Sequence, residues 1–205
     1  MTITDSPSSI WWTGPLAIDA DGCPRAYHLD GHSGLDYLAN AGKPGDWFGL
    51  VTDSQGNPII QGPLDPAPGF CVSPTAFQRK DKNLRDPLRY VDSESVNYLS
   101  VPKEAVQQYG VKLGDVCLAY NQLTQQYAFG IVADVGPKGR WGEGSMCMAK
   151  SIGITNNSPK NGGASRGVVC LVFKGSAKPW PRTQDDINSQ GAALLQAFGG
   201  IDKIK

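Results

Sequence analysis

Asp115-Val-Cys-Leu-Ala-Tyr120 and Gln126-Tyr-Ala-Phe-Gly-Ile-Val-Ala133 are two apolar runs separated by a short polar stretch. Runs of this length, rich in β-branched and aromatic residues and bounded by turn formers, read as two strands joined by a turn. Gly167-Val-Val-Cys-Leu-Val-Phe173 is a stronger strand still, a continuous apolar run of the kind covered on both faces. Between them, Gly144-Ser-Met-Cys-Met-Ala-Lys-Ser-Ile152 has helical propensity and stops at Gly153. Upstream, Asn97 to Val101 reads as a strand, and Pro102 to Tyr109 as a short helix that Gly110 ends. The order strand, turn, strand, loop, short helix, strand predicts a mainly β fold. Its core is a closed β-barrel over about residues 95–175, crossed by short helices.

Outward from that core the signals weaken. The first hundred residues read as loops and short strands, opened by Trp11 and Trp12. Gly34 to Gly42 fits a helical turn, Phe48 to Thr52 a strand, and Ser54 to Pro58 the hairpin turn after it. Asp65-Pro-Ala-Pro-Gly69 is a rigid loop, and Arg79 to Arg89 a charged, exposed excursion. At the other end, residues 177–205 contain a helix from Asp185 to Phe198, expected to pack as a tail on a single domain spanning 1–176.

The 205 residues suit one domain. Nineteen basic side chains balance nineteen acidic ones, which leaves no field to attract nucleic acid or an anionic membrane. No stretch approaches the roughly 20 apolar residues of a membrane span. Met1 to Ile10 lacks the charged-then-apolar layout of a secretory signal. The expectation is export to the periplasm or cell wall by a signal-independent route, or residence in the cytoplasm. The five cysteines, Cys23, Cys71, Cys117, Cys147 and Cys170, form no C-x-x-C pair and read chiefly as buried thiols.

Chemistry concentrates in Ala133-Asp-Val-Gly-Pro-Lys-Gly-Arg-Trp-Gly-Glu-Gly-Ser145. Asp134 ends an apolar strand, where partial burial raises a carboxyl pKa as a general acid requires. Glu143 stands between two glycines that let backbone approach a ligand. Glycosidic cleavage needs such a pair, one carboxyl to protonate the leaving oxygen and one to activate water. Each has a plainer role open to it: Asp before Gly-Pro forms turns, and a Glu among glycines is commonly just solvated.

This stretch resembles the core motif of chitosanases of glycoside hydrolase family 75. So do Tyr90-Val-Asp-Ser-Glu94, Val111-Lys-Leu-Gly-Asp115, Ser158-Pro-Lys-Asn-Gly-Gly163, Ala17-Ile-Asp-Ala-Asp-Gly22, Gly34 to Gly42 and Asp65 to Phe70. Leu113-Gly-Asp115, the strand running into Ala133-Asp-Val-Gly-Pro137 and the helix before Gly153 also look like a double-psi β-barrel. The family resemblance implies an inverting endo-hydrolase of β-1,4-linked glucosamine, with Asp134 as general acid and Glu143 as general base. It also implies a substrate-binding cleft. Asp19, Asp36, Asp65 and Glu94 lie in the shared motifs and would pair with protonated amino groups, while Tyr37 or Trp47 would stack on a sugar face. The missing signal and the tail after Ala177 depart from the family pattern.

No cofactor is called for. His28 and His32 fall in a glycine-broken loop without a third metal ligand, and Asp19-Ala-Asp-Gly22 lacks the rest of a calcium loop. Ser145 lacks a nucleophile elbow, because position 147 is Cys. Two other functions stay open beside the chitosan hydrolase. One is a peptidoglycan glycan-strand hydrolase, acting as an antibacterial effector whose producer would need an immunity protein, or as a lysin. The other is a non-catalytic carbohydrate-binding module.

Overall fold

A computed structural model describes residues 2–205. Along the chain run β1 (Ile3–Asp5), β2 (Ser9–Asp19), the two-residue strands β3 (Gly42–Lys43) and β4 (Asp46–Trp47), and β5 (Tyr98–Pro102). Then come α1 (Lys103–Gln107), β6 (Val116–Asn121), β7 (Gln126–Gly136), β8 (Glu143–Ser145), α2 (Met146–Ser151), β9 (Ala164–Phe173) and α3 (Gln184–Phe198). Strands β2, β8, β5, β7, β6 and β9 pair in that order, and β9 pairs back onto β2, closing a six-stranded barrel. The pairs β2–β8 and β5–β7 are parallel and the other four antiparallel. The mainly β barrel with short helices is thus present.

The barrel is not confined to residues 95–175. Strand β2 supplies one of its walls, with Ile10, Trp12, Leu16 and Ile18 buried. The sequence hides this strand because Thr13-Gly-Pro15 interrupts its alternation, and because its register shifts between Gly14 and Leu16. The reading of Phe48 to Thr52 as a strand is also corrected: the segment makes one isolated bridge, Thr52 to Pro58. The turn after it does form, because the Asp53 carboxylate accepts from the backbone N–H of Gln55 and Asn57, both at 2.9 Å.

Period-two alternation divides the strands' side chains between two apolar clusters. Ile10, Trp12, Leu99, Val132, Cys170 and Val172 fill the barrel interior. Tyr98, Leu118, Ile131, Val169 and Leu171 face outward and meet Ile187, Leu195 and Ile204 of the tail. This double coverage explains why β6 and the end of β9 are apolar at nearly every position. The tail is tied down by polar contacts as well. The buried Asp115 carboxylate accepts from Ser176 N at 2.9 Å and Ala177 N at 3.0 Å, and Gln190 Nε2 donates to Ser176 O at 2.8 Å. Helix α3 begins at Thr183, whose side chain accepts from Asp186 N, and ends at the left-handed Gly199. All five cysteines are free thiols. Among the described residues no helix is long and apolar enough to cross a membrane.

The tail covers one side of the barrel's outer surface. The excursion of residues 20–97 covers another, and the candidate site opens beneath it.

Candidate active site

One row of residues crosses four adjacent strands. Ala17 on β2 is registered with Glu143 on β8, Glu143 with Ser100 on β5, and Ser100 with Asp134 on β7. Directly paired residues point to the same face of a sheet. Leu16 and Ile18 point into the barrel, as do Leu99 and Val101, so this row points out of it.

Asp134 reaches that face only through a β-bulge. Val132 points inward, and strict alternation would send Asp134 inward too. The register with β5 shifts between Leu99 and Ser100, so that Ala133 is the extra residue and Asp134 stands beside Ser100 on the outer face. Re-aiming one side chain is a characteristic effect of a bulge. Asp134 and Glu143 therefore flank Ser100 on its two sides. Two strand spacings put their backbones roughly 9.5 Å apart.

Glu143 is held by a backbone arrangement that requires glycine before it. Gly142 has φ +85°, and a Cβ there would lie 2.0 Å from Pro15 O. Its carbonyl accepts from Ala17 N at 2.9 Å, which docks β8 against β2. Thus Glu143 belongs to a short barrel strand rather than to a free glycine loop.

The row opens into a cleft of about 850 Å³. Its walls carry five carboxyl groups, from Asp19, Asp21, Asp36, Asp134 and Glu143, and three cations, Lys103, Arg140 and Lys160. Asp134 Oδ1 accepts from Ala76 N at 2.8 Å. Asp36 Oδ1 accepts from Tyr37 N at 2.7 Å and Asn40 Nδ2 at 2.9 Å. Asp21 Oδ1 accepts from the Tyr27 hydroxyl at 2.9 Å, and the Ser73 hydroxyl lies 3.0 Å from the same oxygen. Oxygens of Asp19, Asp21 and Asp134 lie within 4.8 Å of one another. That is close enough for each charge to raise the proton affinity of its neighbours.

Burial raises the proton affinity of four of these carboxyls. Asp19 is pushed well above the carboxylate range by burial, then by the charges of Asp21, Glu143 and Asp134. Asp21 is raised to about 8, by burial and by the charge of Asp134, against the hydroxyls of Tyr27 and Ser73. Burial raises Asp134 against two backbone N–H groups that favour its ionised form. Burial also raises Glu143, opposed first by the Arg140 guanidinium, whose Nε lies 3.7 Å away, and also by a hydrogen bond from Ser100.

The structure brings together four of the eight residues expected to act on or bind substrate: Asp134, Glu143, Asp19 and Asp36. Tyr37 stands beside the cleft rather than in its wall, 42% exposed, with the Lys160 ammonium 5.4 Å from its ring centre. Asp65 and Glu94 lie outside the cleft, which corrects the expectation that they bind substrate there. Asp65 organises a turn, accepting from Gly62 N at 2.7 Å. Glu94 accepts from Arg25 Nη2 at 2.7 Å, and Cys23 Sγ lies 3.2 Å from it. Trp47 packs against the core, and its neighbour Phe48, 71% exposed, lines the cleft together with Tyr27.

Sequence reading passed over Asp21, Ser100 and Phe48. Asp21 sits two residues beyond Asp19, where the stretch reads as a turn. Nothing in Ser100 itself marks it, since its importance comes from its two partners across the sheet. No protein-family model and no curated protein matches the chain.

Proposed function

We propose that the protein is an inverting endo-glycoside hydrolase that cleaves β-1,4 bonds of an amino-sugar polysaccharide, with Asp134 as general acid and Glu143 as general base. The observation that carries this reading is the Asp134–Ser100–Glu143 row: two part-buried carboxyls facing one cleft across a single intervening strand. Inverting enzymes separate their carboxyls by roughly 6.5–9.5 Å, leaving room for the attacking water. Two backbones about 9.5 Å apart, with side chains leaning into a common cleft, suit that range.

The roles follow from the surroundings. Arg140 favours the carboxylate of Glu143, the state a base needs before it takes a proton from water. Asp134 lies beside two further carboxyls, the buried Asp19 and the part-buried Asp21, whose charges favour retention of a proton. In the reaction Asp134 gives its proton to the leaving glycosidic oxygen. Water, losing its proton to Glu143, adds to the anomeric carbon from the opposite face. Phe48 offers an exposed ring for stacking on a sugar.

The carboxyl oxygens of the cleft walls offer acceptors to a substrate bearing protonated amines, which is chitosan, and the motif resemblance to family 75 chitosanases points the same way. One observation favours a second reading. Lys103, Arg140 and Lys160 in the same walls suit the carboxylates that decorate peptidoglycan, whose glycan strand is also β-1,4-linked amino sugar. An immunity protein would then be the partner to seek.

The test is release of new reducing ends from chitosan and from purified peptidoglycan by the wild type, Asp134→Asn and Glu143→Gln. We expect glucosamine oligomers from the wild type and a loss of roughly 10²–10⁴-fold in each variant, the range for removing an acid or base. Disaccharide-peptide fragments in place of glucosamine oligomers would establish the second reading. Undiminished product from both variants would overturn the assignment of the pair.

A further inference from the structure

The tail that follows Ala177 takes no part in the two-carboxyl reaction, yet a short run of contacts joins it to Asp134. Two consecutive backbone amides of the excursion hold the acid. Ala76 N donates to Asp134 Oδ1 at 2.8 Å. Phe77 N donates at 2.8 Å to the carbonyl of Ala133, the bulge residue that aims Asp134 into the cleft. The acid is thus gripped at its carboxyl and at the peptide before it.

Phe77 is itself held by the tail. A Cβ on Gly114 would stand 2.8 Å from Cζ of the Phe77 ring and 3.0 Å from Lys178 O. The ring and the tail backbone therefore meet on the bare Cα of one glycine. The Trp180 ring centre lies 6.3 Å from that of Phe77, with the planes tilted by 53°, a separation at which aromatic pairs attract. Next to Gly114, the Asp115 carboxylate accepts from Ser176 N and Ala177 N, which fixes where the tail starts.

We propose, on the hydrolase reading, that Phe77 and Trp180 are positioning residues for the general acid: the docked tail seats the Phe77 ring, and the ring seats the two amides that orient Asp134. A catalytic group has to keep its place to within roughly 0.5 Å, and Trp180 supplies part of that restraint from outside the cleft. Neither ring lines the cleft, so an effect of Trp180 on turnover travels through the amides.

Trp180→Ala tests this, with Trp180→Phe and Leu195→Ala beside it. The fold survives the first change. Thr75 Oγ1 still donates to Phe77 O at 2.7 Å and accepts from Val91 N at 3.0 Å, and α3 keeps its apolar contacts through Ile187 and Leu195. On a chitosan oligomer, well below any melting transition, we expect Trp180→Ala to lose roughly 10–10²-fold in kcat with KM within about twofold of wild type. Trp180→Phe keeps an aromatic face and recovers most of the loss. Leu195→Ala loosens the tail away from Phe77, so it lowers stability while kcat stays within about twofold. Equal losses of kcat in Trp180→Ala and Leu195→Ala would mean a merely structural role and overturn the inference.

A second readout needs no turnover. By NMR, hydrogen exchange at the Ala76 and Phe77 amides is expected to quicken by roughly tenfold or more in Trp180→Ala, relative to the amides of β5, and to hold steady in Leu195→Ala. Unchanged exchange in Trp180→Ala would overturn the inference even in an active enzyme. Quickened exchange in a protein whose wild type cleaves neither chitosan nor peptidoglycan would instead overturn the hydrolase reading and leave the link between tail and Asp134 standing.

Discussion

Asp19 and Asp21 set a pH dependence on the whole fold. Both have proton affinities raised on folding, chiefly by burial. The unfolded chain gives up these protons near the ordinary carboxylate pKa of about 4, whereas the folded chain holds that of Asp21 until about pH 8. Their contribution to stability is therefore full in acid and is lost as pH rises through that window. We expect the unfolding free energy to fall between about pH 5 and pH 8, by up to about 1.4 kcal/mol per pH unit for each such group, and the melting temperature to fall with it. Asp21→Asn should flatten the decline and melt higher than wild type at about pH 8. An equally steep decline in the variant would contradict the burial argument. Asp134 and Glu143 stand out in the sequence through the motif that resembles family 75 chitosanases, and the fold places both in the wall of one cleft. Asp21 does not stand out, because its role depends on Tyr27, Ser73 and Asp134, and two of those lie more than fifty residues away along the chain.

Among the elements, β8 and α3 each depend on a glycine, for different reasons. Strand β8 is three residues long and carries Glu143 between β2 and β5. Gly142→Ala would strain a backbone at φ +85° and drive its Cβ into Pro15 O, 2.0 Å away. We expect a cost of about 1–3 kcal/mol. Hydrolysis should fall further than stability explains, because β8 must shift; unchanged turnover would contradict the placement of Glu143. In α3, Gly191 lies inside a helix, where alanine ordinarily gains about 1 kcal/mol. Here a Cβ would stand 2.4 Å from the Phe129 ring, and overpacking of that kind costs about 1–3 kcal/mol. The clash outweighs the propensity, so Gly191→Ala should lower the urea midpoint; a rise would mean that α3 does not press on β7 as described. The strands of the second half were legible because unbroken apolar runs need cover on both faces. Strand β2 was not, since its partners within the barrel are β8 and β9, far along the chain, and a bulge breaks its pattern. The bulge at Ala133 is equally invisible in sequence, yet it decides which way Asp134 points.

At the scale of the molecule, one barrel wears two covers. The tail seals its side with apolar contact from Ile187, Leu195 and Ile204, while the excursion 20–97 leaves a cleft of about 850 Å³ over the carboxyl row. The barrel and the helical tail could be read from the apolar runs. The excursion could not, because it consists of turns and short bridges whose cover over the site is set by long-range contacts. It nevertheless supplies hydrogen bonds to the cleft, from the side chains of Tyr27, Asp36 and Ser73 and the backbone N–H of Ala76. The claim that unites these scales is that water attacks across the cleft from the face opposite the leaving group. Proton NMR of a chitosan oligomer, followed from the first minutes of hydrolysis, tests it directly. Cleavage of β-1,4 bonds between Asp134 and Glu143 predicts that the α-anomer of the new reducing end appears first and relaxes towards the β-anomer by mutarotation. First appearance of the β-anomer would contradict the account, because retention needs carboxyls only about 5–5.5 Å apart and a covalent intermediate.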